Sequence, residues 1–259
     1  MIERFVKRIR QYYPKNQEPS VIFDVGSRDA LQSVEFSRYF PQANIYAFEC
    51  NPQTLPQCYK NAAPFPNITV VNKAIHTTNG KCKFYPIDTQ KSITSIEGGN
   101  PGASSLFKAS GLYPAETFYQ NEIEVESIRL DTFCQENAIS GIDLLWLDLQ
   151  GAEILALQSL GDFIFSIKMI HTEVEFKPIY EGQCLFWEVE NYLSGKGFLR
   201  LSHIKPNTWF ADIIYVNTRF LCPEKRLQAQ IMRTVNQAYC HFKYYVLDPL
   251  ERLLIPSSK

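Results

Sequence analysis

The acidic residues of this chain stand where an α/β sheet would put them to use. Asp24 lies in the apolar run "VIFDV", with Gly26 behind it. Glu49 closes a second run, "NIYAFE", 25 residues further on. Asp148 closes a third, "LLWLDL", and His171, Glu173 and Glu175 alternate along "IKMIHTEVEF". A carboxylate accepts two hydrogen bonds and offers no donor, so it suits a pair of ribose hydroxyls. An acid at the second strand's end, about 20 residues beyond a glycine turn, is where a nucleoside ribose is held. A carboxylate or histidine within hydrogen-bond reach can also take the proton of an attacking hydroxyl. Asp148, His171, Glu173 and Glu175 are the candidates for that base, and period-two alternation puts the last three on one strand face.

The first turn narrows the ligand. "GSRDA" (26–30) has one glycine, not the G-x-G-x-x-G of a dinucleotide site, and it carries an acid of its own. A pyrophosphate would be repelled by Asp24 and Asp29. A nucleoside with a cationic amino-acid portion would be welcomed, as in S-adenosylmethionine. Each acid also has a plainer reading. Asp24 could be a turn or capping carboxylate, His171 a packed core or rim histidine, Glu175 a structural ion pair, and Asp148 a helix cap or cofactor-amine contact.

These residues need elements to hold them. Apolar strands are expected at 21–25, 44–49, 68–75 and 142–149, and around "IKMIHTEVEF", with helices between them. "CKFYPI" and "EIEVESI" read as two additional strands. Strands separated by helices argue a parallel sheet covered on both faces. "FLRLSHI" and "WFADIIYVN", joined by the short link "KPNT", read as an antiparallel hairpin at one edge. A helix over 2–13 buries Ile2, Phe5, Val6 and Ile9. After Pro223 a helical extension runs to 254, with Leu227, Ile231, Val235, Ala238 and Phe242 at helical spacing. That stripe packs on the parent domain or makes a homodimer contact.

The whole chain, 259 residues with 45% hydrophobic content, is expected to be a single domain with its core at 20–216. A net charge of −1 gives no basic field to recruit nucleic acid or an anionic membrane. No apolar run is long enough to span a bilayer, and the charged N-terminal stretch is no signal peptide. Seven cysteines, an odd number with no C-x-x-C pair, fit a reducing cytoplasm better than a disulfide framework or a zinc site.

Taken in order, "FDVGSRDA", "IYAFECNP", "VVNKAI", "GASSLF", "IRLDTF", "IDLLWLDLQGAEILALQSL", "HTEVEFKPIYEGQ" and "LSGKGFLRL" resemble the FkbM-type methyltransferases. These belong to the class I superfamily that uses S-adenosylmethionine. The resemblance covers roughly residues 20 to 216. It implies a Rossmann-like, mostly parallel seven-stranded sheet and O-methyl transfer, often to hydroxyls of sugars or polyketides. It assigns Asp24, Gly26, Ser27 and Arg28 to the methionine end of the cofactor and Glu49 to the ribose. Cys50 falls beside the adenine, Lys73 and Ala74 contribute backbone near it, and Gln150 joins the cofactor set. The family's first turn usually resembles D-V-G-A-N-x-G, so Arg28 and Ala30 replace its asparagine and second glycine.

The expected acceptor is therefore a small molecule or glycan. The competing reading is a non-catalytic protein that keeps the fold as a binding module; a nucleotide-dependent oxidoreductase lacks its glycines. Converging acids could also hold a divalent metal, though no H-x-x-x-H or Asp-x-Asp pattern supports one. The Ser/Gly/Pro-rich stretch 88–121 is too long for an ordinary connection. It is expected to cover the acceptor site, with Gly98, Gly99 and Gly102 as hinges, Ser104 and Ser105 as substrate contacts, and Leu106 and Phe107 as anchors.

Overall fold

The computed structural model describes residues 2–14, 17–202 and 208–242. Its main sheet follows the sequence pattern. β1 (Val21–Val25), β2 (Asn44–Phe48) and β3 (Ile68–Val71) form one half. β7 (Leu144–Leu147), β8 (Met169–Glu175), β9 (Phe198–Arg200) and β10 (Phe210–Asn217) form the other. The order is β3-β2-β1-β7-β8-β10-β9. Pairing is parallel from β3 through β8, and β10 runs antiparallel to both of its neighbours. The expected edge hairpin is present as β9 and β10, although most of its link lies outside the described residues.

The expected strand over 68–75 divides. Polar Asn72 and Lys73 break it after Val71, where the Lys73 N–H turns back to the Val71 carbonyl (2.9 Å). The continuation, β4 (Ala74–Ile75), joins β5 (Gly80–Phe84) and β6 (Ile123–Ile128) in a second sheet ordered β4-β6-β5. The two additional strands read from the sequence are β5 and β6.

Helices cover both faces of the main sheet. On one face α1 (Ile2–Tyr12) and α2 (Leu31–Tyr39) bring Phe5 and Phe36 onto Trp146 and Ile214. On the other, α4 (Leu130–Glu136), α5 (Glu153–Ser159) and α6 (Phe186–Gly195) bring Phe133, Leu157 and Phe186 onto Phe23, Leu145 and Ile213. α3 (Leu55–Ala62) packs beside β2 and β3, with Cys58 and Ala62 buried near Ala47. At the base of the sheet Asp143 accepts from Tyr13 Oη (3.0 Å), from Ser20 N and Oγ (both 2.7 Å) and from Val21 N (3.0 Å), and it pairs with Lys168. This network ties the end of α1 to β1 and β7.

α7 (Pro223–Phe242) follows. The stripe read as a packing face leaves Leu227 and Ile231 exposed, while Ala229 enters the core shared with α1. The side chains of Val235, Ala238 and Phe242, and residues 243–254 of the expected extension, lie outside the described residues.

The chain leaves β1 toward β2 and β3 and later returns on the far side of β1 through β7 and β8. The strand order therefore reverses between β1 and β7, which opens a crevice at their carboxyl ends, the place where such sheets bind ligands.

Candidate functional site

Gly26 and Asp148 leave adjacent strands at this crevice, and their backbones touch. The Asp148 N–H donates to the Val25 carbonyl (3.0 Å). Gly26 has φ +83°, and a Cβ there would stand 1.9 Å from the Asp148 carbonyl oxygen. Only glycine fits, for both reasons. Arg28 and Ala30, which replace the asparagine and second glycine of the resembling turn, have φ 52° and 60°. Both positions lie in the left-handed region that asparagine and glycine favour, so the usual residues there answer a backbone need. The turn forms without them because its N–H groups are held: Gly26 and Ser27 donate to the Phe48 carbonyl (3.1 and 2.9 Å) and Arg28 to Glu49 Oε2 (2.7 Å).

Asp24 and Ser27, expected at the methionine end of the cofactor, line neither cavity, and Asp24 Oδ1 is buried without a partner among the described residues. Both are fully buried, and Asp24 Oδ2 accepts from Ser27 Oγ (2.9 Å) and Ser33 Oγ (2.6 Å). The carboxylate thus pins the turn to α2, the plainer of its two sequence readings. Burial raises the Asp24 carboxyl to about 6, against the pull of the two serine hydroxyls.

A cleft of about 60 Å³ runs beside the turn. Gly26, Arg28, Glu49, Cys50, Lys73 and Ala74 line it, as expected, with Asp148 at its end. Glu49 Oε1 accepts from the Asn51 N–H (2.6 Å) and Oε2 from the Arg28 N–H (2.7 Å), and the Cys50 N–H and Thr54 hydroxyl also face the carboxylate. Burial pushes the Glu49 carboxyl up to about 7, partly offset by the N–H groups of Asn51 and Arg28. Burial also raises the Cys50 thiol well above its usual range, which keeps it neutral. Phe48, Ile75, Phe84 and Leu149 supply apolar wall. Phe84 and Asn51 were missed by sequence reasoning; Phe84 arrives on the second sheet, which no periodicity links to the crevice.

A second cavity, of about 270 Å³, adjoins the first. Gly26, Arg28, Gly102 and Asp148 line both. Glu173, Gln150, Tyr180, Glu116, Asn100 and the aromatic rings of Tyr113, Phe118 and Phe210 line the second alone. Gln150, which the resemblance puts in the cofactor set, lines this second cavity. Its Nε2 donates to Asp148 Oδ1 (2.7 Å) and to Glu173 Oε1 (2.9 Å). Asp148 and Glu173 are thus brought together. Burial raises both carboxyls; Gln150 and Arg28 pull Asp148 back, while Asp148, Asp212 and Glu153 push Glu173 higher.

The strand that carries Glu173 does not deliver its other two candidates. His171 is buried against Trp146, ring to ring at 3.5 Å and 4°, and edge-on to Phe5 at 5.6 Å. Burial lowers its pKa to about 3, aided by Arg4, so the ring is neutral. Its Nε2 lies 3.5 Å from Asp212, a residue of β10 that faces Glu173 across the ladder and was not foreseen. Glu175 is buried with neither oxygen hydrogen-bonded, and burial followed by Glu153 and Glu173 raises its pKa. It lines neither cavity, so it is a neighbour of the site and not a wall of it. Phe210, opposite Glu175 in the register, takes the wall position instead.

The stretch 88–121 lies across both cavities, a wider cover than expected. Ser104 and Ser105 serve it as ties rather than as linings of the second cavity. Ser104 Oγ accepts from Asn51 Nδ2 (3.2 Å) and from the Ile87 N–H (3.0 Å), and Ser105 Oγ donates to the Gln150 carbonyl (2.8 Å). Both serines face the first cleft.

Among the described residues no group of three or more His, Cys, Asp or Glu is placed to hold a metal ion. No helix among them is long and apolar enough to cross a membrane.

Comparison with known proteins gives the family. The family model described as "Methyltransferase FkbM domain" matches residues 24–200. A curated relative, the 2-O-methyltransferase NoeI of Sinorhizobium fredii (strain NBRC 101917 / NGR234), is 28% identical over 172 residues, 63% of this chain. The match spans 66% of that relative's length. Among solved structures, M. capricolum TrmK with S-adenosyl-homocysteine matches at TM-score 0.45 and 12% identity, over 98% of this chain and 88% of that one. Magnesium protoporphyrin IX methyltransferase from Synechocystis PCC 6803 with bound SAM matches at TM-score 0.46 and 10% identity, over 84% and 78%.

Proposed function

Because the chain belongs to the FkbM methyltransferase family and so uses S-adenosylmethionine, we propose that it methylates a hydroxyl oxygen of a sugar, glycan or similar small molecule. One observation carries this reading: the two cavities share the wall Gly26, Arg28, Gly102 and Asp148. A carboxylate at that junction touches both a cofactor and an acceptor.

The cleft residues fit the cofactor. Glu49 presents a carboxylate to the cleft for a ribose diol, the bare Gly26 lets backbone approach, and Phe48, Ile75, Phe84 and Leu149 suit an adenine. Arg28 can meet the cofactor carboxylate. S-adenosylmethionine supplies an electrophilic methyl group on a sulfonium sulfur. Asp148 accepts the proton of the acceptor hydroxyl as that oxygen attacks, a role for a carboxylate within reach. The cover excludes water from the reacting centre.

Support for a sugar comes from the second cavity. Rings of Tyr113, Phe118 and Phe210 line it together with the polar groups of Glu116, Glu173 and Asn100. Apolar faces with a few placed polar groups suit a pyranose, which has apolar C–H faces and an equatorial belt of hydroxyls. The relative named a 2-O-methyltransferase supports transfer to an oxygen.

The test is transfer from methyl-labelled S-adenosylmethionine to sugars, nucleotide sugars and cell extracts. The reading expects label in a base-stable ether. Label recovered only in base-labile esters, in amines or in nucleic acid would overturn it.

A further inference from the structure

Gln150 is a residue in a strained conformation whose backbone carbonyl and side-chain amide both have partners. Its φ is +53°, in the left-handed region that a non-glycine residue keeps only where the surroundings enforce it. The Ser105 hydroxyl holds its carbonyl at 2.8 Å. The buried Tyr180 hydroxyl lies 3.0 Å from its Oε1 and 2.8 Å from the Ala103 carbonyl. The single Tyr180 proton is shared between these two acceptors, and the carboxyls of Asp148 and Glu173 on the other side of the amide call for its donor end, so Nε2 points inward, where its two hydrogens meet them.

We propose, building on the hydroxyl-methylation reading, that Gln150 is a positioning residue. Its amide, held by Tyr180, yokes Asp148 and Glu173 into a two-carboxyl unit that carries one proton on Glu173 and leaves Asp148 as the base. Two carboxylates on one donor cannot both ionise cheaply, so one takes the proton. The surroundings choose which. Asp148 faces the Arg28 guanidinium. It also faces the carboxyls of Asp24, Glu153, Glu173 and Asp212 and the Tyr180 phenol. Glu173 faces Asp148, Asp212, Glu153 and Glu175, with Tyr113 and Tyr180 beside it. Asp212 in turn is near His171 and Arg4. A neutral Glu173 then has an O–H to donate to an oxygen of the acceptor, while Asp148 takes the proton of the reacting hydroxyl. Environments that push two titrating groups apart assign the acid and the base.

The test is a carboxyl-carbon NMR titration of the full chain saturated with S-adenosylhomocysteine, beside the pH profile of methyl transfer to p-nitrophenyl hexopyranosides. In the wild type the two carboxyls should titrate as a coupled pair, with Glu173 still protonated when Asp148 is ionised. Gln150→Leu removes the donor and should move the Asp148 midpoint, and with it the acidic limb of the rate profile, up by about one pH unit or more. Tyr180→Phe keeps the ring and should give a smaller shift in the same direction, which preserves the test should Gln150→Leu fail to fold. Independent titration of the two carboxyls, or midpoints unmoved in both variants, would overturn the yoke. If the midpoints move as stated but no hexopyranoside is methylated, the yoke stands and the acceptor reading falls. If hexopyranosides are methylated and the midpoints stay, the yoke alone falls.

Discussion

The backbone of Gly26 stands against the carbonyl of Asp148, so near that a Cβ on residue 26 would lie 1.9 Å from that oxygen. The contact joins the first turn to the carboxylate at the meeting of the two cavities. Gly26→Ala must both adopt a positive φ and push β1 from β7. The expected loss is about 2–5 kcal/mol of stability, with a melting temperature lower by several degrees. Calorimetric titration should show cofactor binding lost in whatever fraction stays folded. A Gly26→Ala protein with wild-type melting and affinity would remove the junction from the account.

Cofactor affinity should depend on pH through Glu49. Its carboxyl is raised to about 7 in the folded protein, chiefly by burial. Below that pH it is protonated and offers ribose hydroxyls a poorer acceptor, so affinity should fall as pH falls through 7. Glu49→Gln should bind roughly 10- to 150-fold more weakly, from one charge-assisted bond of about 1.5–3 kcal/mol, and should lose that dependence. Titration calorimetry with S-adenosylhomocysteine from pH 5.5 to 8.5 reads both effects. Parallel pH profiles in the two proteins would remove the ribose role.

His171 should matter for stability and not for chemistry. Folding lowers its pKa from 6.5 to about 3, mainly by burial. The unfolded chain therefore binds the proton that the folded one refuses. Stability should fall as pH falls below 6.5, by up to about 1.4 kcal/mol per unit toward pH 3. In His171→Phe, which keeps an aromatic ring against Trp146, the stability difference from wild type should shrink or reverse as pH falls from 7 to 4. Denaturant midpoints at each pH test this, and a constant difference would contradict it.

Much of this was legible in the sequence, for a physical reason in each case. The acids at the ends of β1, β2 and β7 stand out because ionisable groups are rare in buried strands. Gly26 stands out because it breaks an apolar run. Strand alternation gave the face of His171 but not what packs on it, and Phe5, supplied by a helix 166 residues earlier, makes it a core residue. The place of Gln150 in the second cavity was not legible, because its backbone turn is set by Ser105 and Tyr180, from two distant segments. The stretch 88–121 has no period to read, so its crossing of the cofactor cleft could not be seen.

The cover should loosen when its ties are cut. Ser105→Ala removes one bond to Gln150, and Asn51→Ala removes one to Ser104. At about 0.5–1.5 kcal/mol each, amide exchange across 101–107 should quicken by about 2- to 12-fold per bond, while β1 stays protected. Hydrogen-exchange mass spectrometry measures this. Because Pro101, Gly102, Ser104 and Ser105 line the cofactor cleft, shortening 97–103 should weaken cofactor and acceptor use together. Wild-type cofactor affinity after that deletion would restrict the cover to the acceptor side.

The central claim is that Asp148 takes the proton of the acceptor at the meeting of the two cavities. Asp148→Asn keeps the size of the side chain and its neighbours while removing the base. Single-turnover transfer from labelled S-adenosylmethionine, measured with the cofactor dissociation constant of the same protein, tests it most directly. The account predicts a rate about 10²–10⁴-fold lower, with the dissociation constant within about threefold of wild type. An unchanged rate, or a rate and an affinity that fall in proportion, would contradict it.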